Sequence, residues 1–284
     1  MTQDSSNRVW FITGCSNGFG RLLAEEVLKS GGRAIATARK RETIADLEQK
    51  YPRTAKTFAL DVTDAAQIDS VVPAAIQHFG HIDVLVNNAG YGMAGAIEET
   101  SEEEYRPMFE ANVFGLLRVT RALLPHLRAR RGGHILNISS VAGLVSTAGM
   151  GYYNSTKFAV EGLSEALAAE LAPLGIHVTI VEPGPFRTGF LGRTGQLSAL
   201  RIPDYDATAG KARIYYVDQI GKQPGDPLRA VEAMMQVVES PNPPLRLLLG
   251  RNALQRVRAK LDTWQKEIAA WESTTTGADF PEGE

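Results

Sequence analysis

The chain of 284 residues predicts an α/β protein: a Rossmann-like, doubly wound parallel sheet of about seven strands with helices on both faces. Three observations predict it. Short β-branched runs alternate with longer amphipathic segments almost from end to end. A glycine-rich turn joins the first strand-like run to the first helical one. A composition of 44% hydrophobic and 22% charged residues suits a globular chain with a full core. Open sheets of this kind reach about 250 residues as one unit. A single domain over residues 1–272 is therefore expected, followed by a polar, disordered tail over 273–284.

Taken in order, residues 9–13 (Val-Trp-Phe-Ile-Thr) predict the first strand, and residues 19–30 the first helix. Strands follow at 33–38, 57–60, 84–87, 134–139, 177–181 and 246–249, each short and apolar. Such runs suit parallel strands buried on both faces. Helical periodicity fills 65–79, 101–131 (two helices) and 151–172. Asp226 followed by Pro227 is a helix-start signal, so a helix runs to about 239. A last helix over 251–272 carries many basic residues. The alternation breaks once, over 185–225, where Gly, Pro and Thr mix with Phe186, Phe190, Leu191, Leu197, Leu200, Ile202, Ile214, Tyr215 and Tyr216. A long stretch so rich in large apolar side chains predicts a lid or short helices over a binding site.

The bulk numbers exclude several function classes. A net charge of -2 gives no electrostatic reason for nucleic acid or an anionic membrane. No run approaches the ~18 apolar residues of a membrane span, and Met1 to Arg8 lacks the pattern of a secretory signal. The single Cys15 excludes an intrachain disulfide and fits a reducing, cytoplasmic compartment. Cys15 reads as a small inert filler. His78, His81, His126, His134 and His177 show no metal-ligand spacing and are expected at the surface or at strand edges, so no metal is expected.

The turn after the first strand reads Thr13-Gly14-Cys15-Ser16-Asn17-Gly18-Phe19-Gly20. Glycine is needed where a chain turns sharply and where backbone approaches a phosphate, and the following helix N-terminus supplies free N–H groups for an anion. In this strand-turn-helix context the turn predicts dinucleotide binding. The second strand ends at Ala38, followed by Arg39, Lys40 and Arg41. An acidic residue there would bind a ribose 2′-hydroxyl, whereas arginine accommodates a 2′-phosphate. With charged hydrogen bonds contributing ~1.5 to 3 kcal/mol, a preference for NADP(H) over NAD(H) of about tenfold or more is expected. Further along, Tyr153 and Lys157 stand at i and i+4 in a helical segment and share one face. A neighbouring ammonium pulls a phenol below its usual pKa of about 10 and readies it for proton exchange.

These motifs together resemble the short-chain dehydrogenase/reductase family over residues 9–188, most closely the branch containing bacterial oxidoreductases, retinol dehydrogenases and 17β-hydroxysteroid dehydrogenases. Gly14, Gly18 and Gly20, with Ser16, Asn17 and Phe19 between them, match its cofactor turn. Asp61-Val62 matches its adenine-contacting pair, and Asn87-Asn88-Ala89-Gly90 its signature after the fourth strand. Pro183-Gly184 and Thr188 match the motif that holds the nicotinamide end. Asn112, Ser140, Tyr153 and Lys157 match its catalytic tetrad, and the family's spacing selects Tyr153 over Tyr152 and Ser140 over Ser139.

The resemblance implies hydride transfer between nicotinamide and a carbonyl or a primary or secondary alcohol. Ser140 would bind the substrate oxygen and Tyr153 exchange its proton. Lys157 would hold the ribose and lower the tyrosine's pKa, and Asn112 would support a water leading from Lys157 to solvent. Tyr91, Met93, Leu144, Val145 and Met150, with the lid, predict a pocket for a small hydrophobic carbonyl or alcohol substrate. Arg187, Arg193, Arg201 and Arg213 read as solvated lid charges rather than ligands of a substrate anion. Ala159, Gly162, Ala166 and Ala169 permit close helix approach, and the family's four-helix contact implies a homodimer, with a tetramer as the larger alternative. A non-catalytic NADP(H)-binding regulatory protein is the other reading, since this fold also hosts non-enzymes. An enoyl reductase is a weaker third, because that branch spaces Tyr and Lys further apart.

Overall fold

A computed structural model describes residues 8–280; the expectations for the first seven residues and for the last four of the tail lie outside the described residues. In chain order the elements are β1 (Val9–Ile12), α1 (Gly18–Lys29), β2 (Arg33–Ala38), α2 (Asp46–Lys50), β3 (Ala55–Ala59), α3 (Ala65–Phe79), β4 (Val84–Asn87), β5 (Met93–Ala94), α4 (Glu102–Phe109), α5 (Leu116–Arg130), β6 (Gly133–Ile138), α6 (Gly151–Leu171), β7 (Ile176–Pro183), β8 (Gln196–Leu197), α7 (Ala209–Asp218), α8 (Pro227–Glu239), β9 (Arg246–Leu249) and α9 (Arg251–Thr276). Seven of the strands form one sheet in the order β3-β2-β1-β4-β6-β7-β9, every pairing parallel. The strand order reverses beside β1, between β1 and β4, and ligands of such sheets bind outside the strand ends at that point.

Alternation along β1 divides the core into two layers. Trp10 and Ile12 face α1 and α8, packing with Leu23, Val27, Val231 and Met234. Val9 and Phe11 face the opposite layer of α3, α5 and α6, packing with Ile68, Val72, Leu123 and Leu171. Burial on both faces is why these strands carry no polar alternation. Local signals start three of the helices. Asp64 caps α3 by accepting from the Gln67 N–H. Ser101 and Glu104 form a capping box on α4, and Asp226 accepts from the Leu228 N–H beside Pro227.

Five expectations shift. The third strand is Ala55–Ala59 rather than 57–60. The two helices expected over 101–131 are joined by a π-helical turn, Glu110–Gly115, rather than by a break. The lid is more ordered than its composition suggests: β8 pairs with β5, and α7 spans its second half. Helix α9 continues to Thr276, into the stretch expected to be tail. His134 is buried rather than peripheral. It bonds Thr179 Oγ1 at 2.9 Å, and burial, reinforced by His177, pushes its pKa down to about 3, so it is neutral. Among the described residues no helix is long and apolar enough to cross a membrane.

Candidate active site

The sequence-marked residues converge on the C-terminal ends of β1, β4, β6 and β7. After β1 the chain turns through Gly14 and Gly18 at φ +72° and +60°, the left-handed region that disfavours side chains. Space is short as well. A Cβ on Gly14 would lie 2.9 Å from Ala89 Cα, and one on Gly20 would lie 2.6 Å from Gly14 O. The turn is pinned to β4 by two side chains. Thr13 Oγ1 accepts from the N–H groups of Asn88 (2.9 Å) and Ala89 (3.0 Å). Asn88 Nδ2 donates to the carbonyls of Thr13 (2.8 Å) and Gly14 (3.0 Å). The Asn88 side chain, expected at the cofactor, is thus a strut for the turn.

Asn17, at the N-cap of α1, makes no side-chain cap bond, so first-turn N–H groups remain to receive an anion. Tight glycines and an uncapped helix start together fit a dinucleotide pyrophosphate. Gly20→Ala is expected to force this turn off Gly14 and Asn88 and to weaken NADPH binding at least tenfold, read by fluorescence titration. Unchanged affinity would remove the turn from the binding site.

At the end of β2 the three basic residues separate. Arg41 is held by Glu48 at 2.8 Å and Thr57 Oγ1 at 3.0 Å. Arg39 is exposed and has no ion pair among the described residues; its charge acts on Tyr91. Asp61 Oδ1 accepts from the N–H and hydroxyl of Thr63 (2.9 and 2.8 Å). Val62 lies against Gly115 of the π-turn, where a Cβ would come within 2.6 Å of Val62 Cγ2. Gly90 abuts Asn112: a Cβ there would meet Asn112 Oδ1 at 2.8 Å.

Asn112 is buried in the π-turn. Its amide donates to Tyr91 O (2.8 Å) and Thr156 Oγ1 (3.1 Å) and accepts from Tyr91 N–H (3.0 Å). Both amide hydrogens are engaged, so the side chain ties the segment after β4 to α6.

Ser140 follows β6, its hydroxyl donating to Pro183 O at 3.4 Å and accepting from the Ala142 N–H at 3.1 Å, and it lies near enough to Tyr153 to pull that phenol's pKa down. Ser139 points to the other side, donating to Glu161 Oε1, which separates the two serines as strand alternation requires. Tyr152 stacks on Tyr105 at 4.3 Å, away from Ser140, while the Tyr153 ring lies 5.7 Å from Phe190 of the lid. Lys157 Nζ stands 5.9 Å from the Tyr153 ring centroid and donates to Ile138 O at 2.8 Å.

The expected pKa shift is reversed. Burial pushes Tyr153 up to about 12, with the neighbouring Ser140 hydroxyl opposing. Burial pulls Lys157 down to about 8, with the Glu161 charge opposing. The Lys157 ammonium does not enter the Tyr153 balance: it donates to the strand carbonyl of Ile138 instead of approaching the phenol oxygen.

Pro183 ends β7, and Gly184 packs against Ala253 of α9, its N–H donating to Leu249 O at 2.9 Å. The lid begins over the glycine turn. Thr188 Cβ is 3.7 Å from where a Gly18 Cβ would be, and Phe186 meets Phe19 edge-on at 5.4 Å. Around Tyr153 the walls are apolar: Met93, Met108 and Ala142, with Tyr91, Met150, Tyr152 and Phe190 against them. The Tyr216 hydroxyl, also from the lid, is buried without a hydrogen-bond partner among the described residues.

Three of the lid arginines serve the lid, while the side chain of Arg193 lies outside the described residues. Arg213 donates to Ser198 O (2.9 Å) and pairs with buried Glu99 (3.1 Å). Arg187 donates to Gln223 O, and Arg201 pairs with Asp206. Sequence reasoning missed a charged cluster directly behind Lys157. Arg246 of β9 bridges Glu161 and Glu165 of α6 and Glu182 of β7. Glu161 lies four residues after Lys157, the same helical step that singled out Tyr153, and that spacing was the available signal.

A parallel sheet carrying a phosphate-sized glycine turn at its switch point defines a dinucleotide-binding α/β protein. Comparison with known proteins gives its family. The short chain dehydrogenase model matches residues 8–197. Oxidoreductase BOA17 of Botryotinia fuckeliana is 38% identical over 250 residues, 87% of this chain and 90% of that protein. The 3-ketodihydrosphingosine reductase of Bacteroides thetaiotaomicron is 35% identical over 259 residues, 90% of this chain and 93% of that one. Among solved structures, a short-chain dehydrogenase from Streptomyces avermitilis superposes with TM-score 0.90 at 44% identity, covering 96% of this chain and 100% of that one. Serine dehydrogenase complexed with NADP+ superposes with TM-score 0.73 at 29% identity, covering 85% and 94%. The chain belongs to the short-chain dehydrogenase family and is an oxidoreductase of that class.

Proposed function

We propose that the protein is an NADP(H)-dependent reductase or dehydrogenase of hydrophobic carbonyl compounds and their primary or secondary alcohols, with Tyr153 as general acid/base. One observation carries this reading. Ser140 stands beside Tyr153 within an apolar enclosure, close enough to lower its pKa, with Lys157 Nζ 5.9 Å from the Tyr153 ring. Such a pair can grip one oxygen atom of an otherwise apolar molecule.

Gly14, Ser16, Asn17, Gly18, Phe19 and Gly20 would cradle the pyrophosphate, Asp61 and Val62 the adenine, and Ala89, Gly90, Pro183, Gly184 and Thr188 the nicotinamide end. The bound nicotinamide supplies or accepts the hydride at its C4. In the reducing direction Ser140 donates a hydrogen bond to the carbonyl oxygen. Tyr153 transfers its proton there as negative charge develops. A phenol held near 12 by burial stays protonated until that charge arrives, which suits an acid. Lys157 would turn its ammonium from Ile138 O toward the phenolate and the ribose. Asn112 fixes Tyr91 and Thr156 around this site; a water leading from Lys157 to solvent would then rest on the Asn112 main chain.

A hydrophobic substrate is supported by the apolar walls and by a relative whose name specifies reduction of a keto group. The unpaired Tyr216 hydroxyl offers one further polar contact. NADP(H) rather than NAD(H) is supported by Arg39, which has no ion pair among the described residues at the end of β2 while Arg41 is already engaged. Arg39→Asp is expected to lower the NADPH-over-NADH ratio of kcat/KM by at least about tenfold, the size of one lost charged hydrogen bond. An unchanged ratio would place the specificity elsewhere. Helices α5 and α6 are proposed to form the homodimer contact.

The test of the activity is nicotinamide absorbance with NADPH against bulky apolar ketones and aldehydes. Turnover supports the reading. Tight NADPH binding with no turnover across the panel would favour the regulatory alternative.

A further inference from the structure

We propose that the C-terminal helix α9 is an association arm that pairs antiparallel with α9 of a second copy of this chain. Only its start belongs to the body of the protein. Ala253 is fully buried against Gly184, and Arg256 donates to Val145 O (3.2 Å) and Thr147 Oγ1 (2.8 Å). From Arg258 to Thr276 every residue is exposed. A helix of 26 residues is about 39 Å long, and most of this length has no packing from the described residues of its own chain. Helices in water owe most of their stability to a packed apolar face, so an arm of this length calls for a partner.

The face that calls for one is continuous. Leu254, Val257, Leu261, Trp264, Ile268 and Trp271 alternate in steps of three and four, the spacing that keeps an apolar seam aligned between two paired helices. Trp264, Ile268 and Trp271 are 56%, 54% and 65% exposed, a linear patch rather than scattered surface residues.

Charge along the arm selects the occupant and its direction. The first half carries Arg251, Arg256, Arg258 and Lys260; the second carries Glu267 and Glu272 beside the seam, while Asp262 and Lys266 lie on the far face. Lys260 and Glu267 flank one edge of the seam, and Arg251, Arg258, Gln265 and Glu272 flank the other. An antiparallel pair with Leu261 against Trp264 of the second copy sets Lys260 beside Glu267 of that copy, twice by symmetry. It also brings the basic start of each arm to Glu272 of the other. A parallel pair sets Glu267 beside Glu272, which repels. Flanking charges of this kind fix partner and orientation. The net basic arm with two tryptophans would also suit an anionic bilayer, but Glu267 and Glu272 flank those tryptophans and oppose that contact at the exposed end.

The experiment is the mass of the full chain by light scattering across micromolar concentrations. Trp264→Glu combined with Ile268→Glu, and separately Lys260→Glu, should each lower the assembly by one step, halving its mass, with near-unchanged circular dichroism. Adding Glu267→Lys to Lys260→Glu should restore it. A wild-type mass that none of these variants changes overturns the proposal. So does failure of the exchanged pair to restore what Lys260→Glu dissociates. Loss of binding to phosphatidylserine vesicles in the tryptophan-isoleucine variant, with no change of mass in free solution, would overturn it in favour of a bilayer contact.

Discussion

Tyr153→Phe is expected to lower carbonyl reduction by at least about 10²- to 10⁴-fold, the range for loss of a positioned general acid, while NADPH affinity stays within a few-fold of the wild type. The two effects separate because the substitution removes one hydroxyl and leaves the ring against Phe190 and Met93. Ser140 keeps its bonds to Pro183 O at 3.4 Å and from the Ala142 N–H at 3.1 Å. The fold should be unaffected. Steady-state kinetics with the best ketone from the panel, alongside fluorescence titration of NADPH, read both quantities. Near-full activity in the variant would remove Tyr153 from proton transfer and turn attention to the buried Tyr216 hydroxyl. A comparable loss of NADPH affinity would instead mean that the hydroxyl chiefly shapes the cofactor site.

What could be read in advance depended on how local the physical cause is. The glycine turn was legible because left-handed dihedrals and a carbonyl 2.6 Å from a would-be Cβ leave room for no other residue at Gly20 and Gly14. The shared face of Tyr153 and Lys157 followed from helical spacing alone, and the start of α8 from Asp226 and Pro227. Non-local features were not legible. Glu110–Gly115 has ordinary helical composition, and nothing in it announces a π-turn; the cause is tertiary, since Asn112 must reach Tyr91 and Thr156 at once. The direction of the Tyr153 shift is not legible because sequence gives the neighbouring lysine but neither the burial of the phenol nor the turn of the ammonium toward Ile138 O. His134 escaped because its partner Thr179 stands on the adjacent strand, 45 residues away. The end of α9 was set too early because Ser273 and the threonines after it are weak helix formers, yet the helix runs on through them.

Arg246→Ala is expected to cost about 3 kcal/mol of stability at pH 8, near the low end for stripping one partner from a buried ion network, because a third of Arg246 itself remains in water. The network is unevenly balanced. One guanidinium faces Glu161, Glu165 and Glu182, and Glu182 is fully buried with one carboxylate oxygen lacking a hydrogen-bond partner among the described residues. Burial, with the Glu161 charge adding to it, raises Glu182 from 4.5 to about 7, against the opposing pull of Arg246. A carboxyl whose folded pKa is raised contributes stability that is fully present below the unfolded value, near 4.5, and is lost as pH rises through about 7. Without Arg246 the charged form is penalised further, so the deficit should be smaller at pH 5, where Glu182 is protonated, and larger at pH 8. Urea unfolding of wild type and variant at the two pH values measures this. Equal deficits at both would show that Arg246 acts through packing rather than charge. Adding Glu182→Gln to the variant should recover part of the loss at pH 8, because it removes the stranded charge. The same change reaches Lys157, the lysine proposed to act with Tyr153. Glu161 already raises Lys157 against burial, and a Glu161 relieved of Arg246 should raise it more. The alkaline limb of the pH–rate profile should therefore move upward in the residual folded enzyme, tying a missed edge-strand arginine to the chemistry at Tyr153.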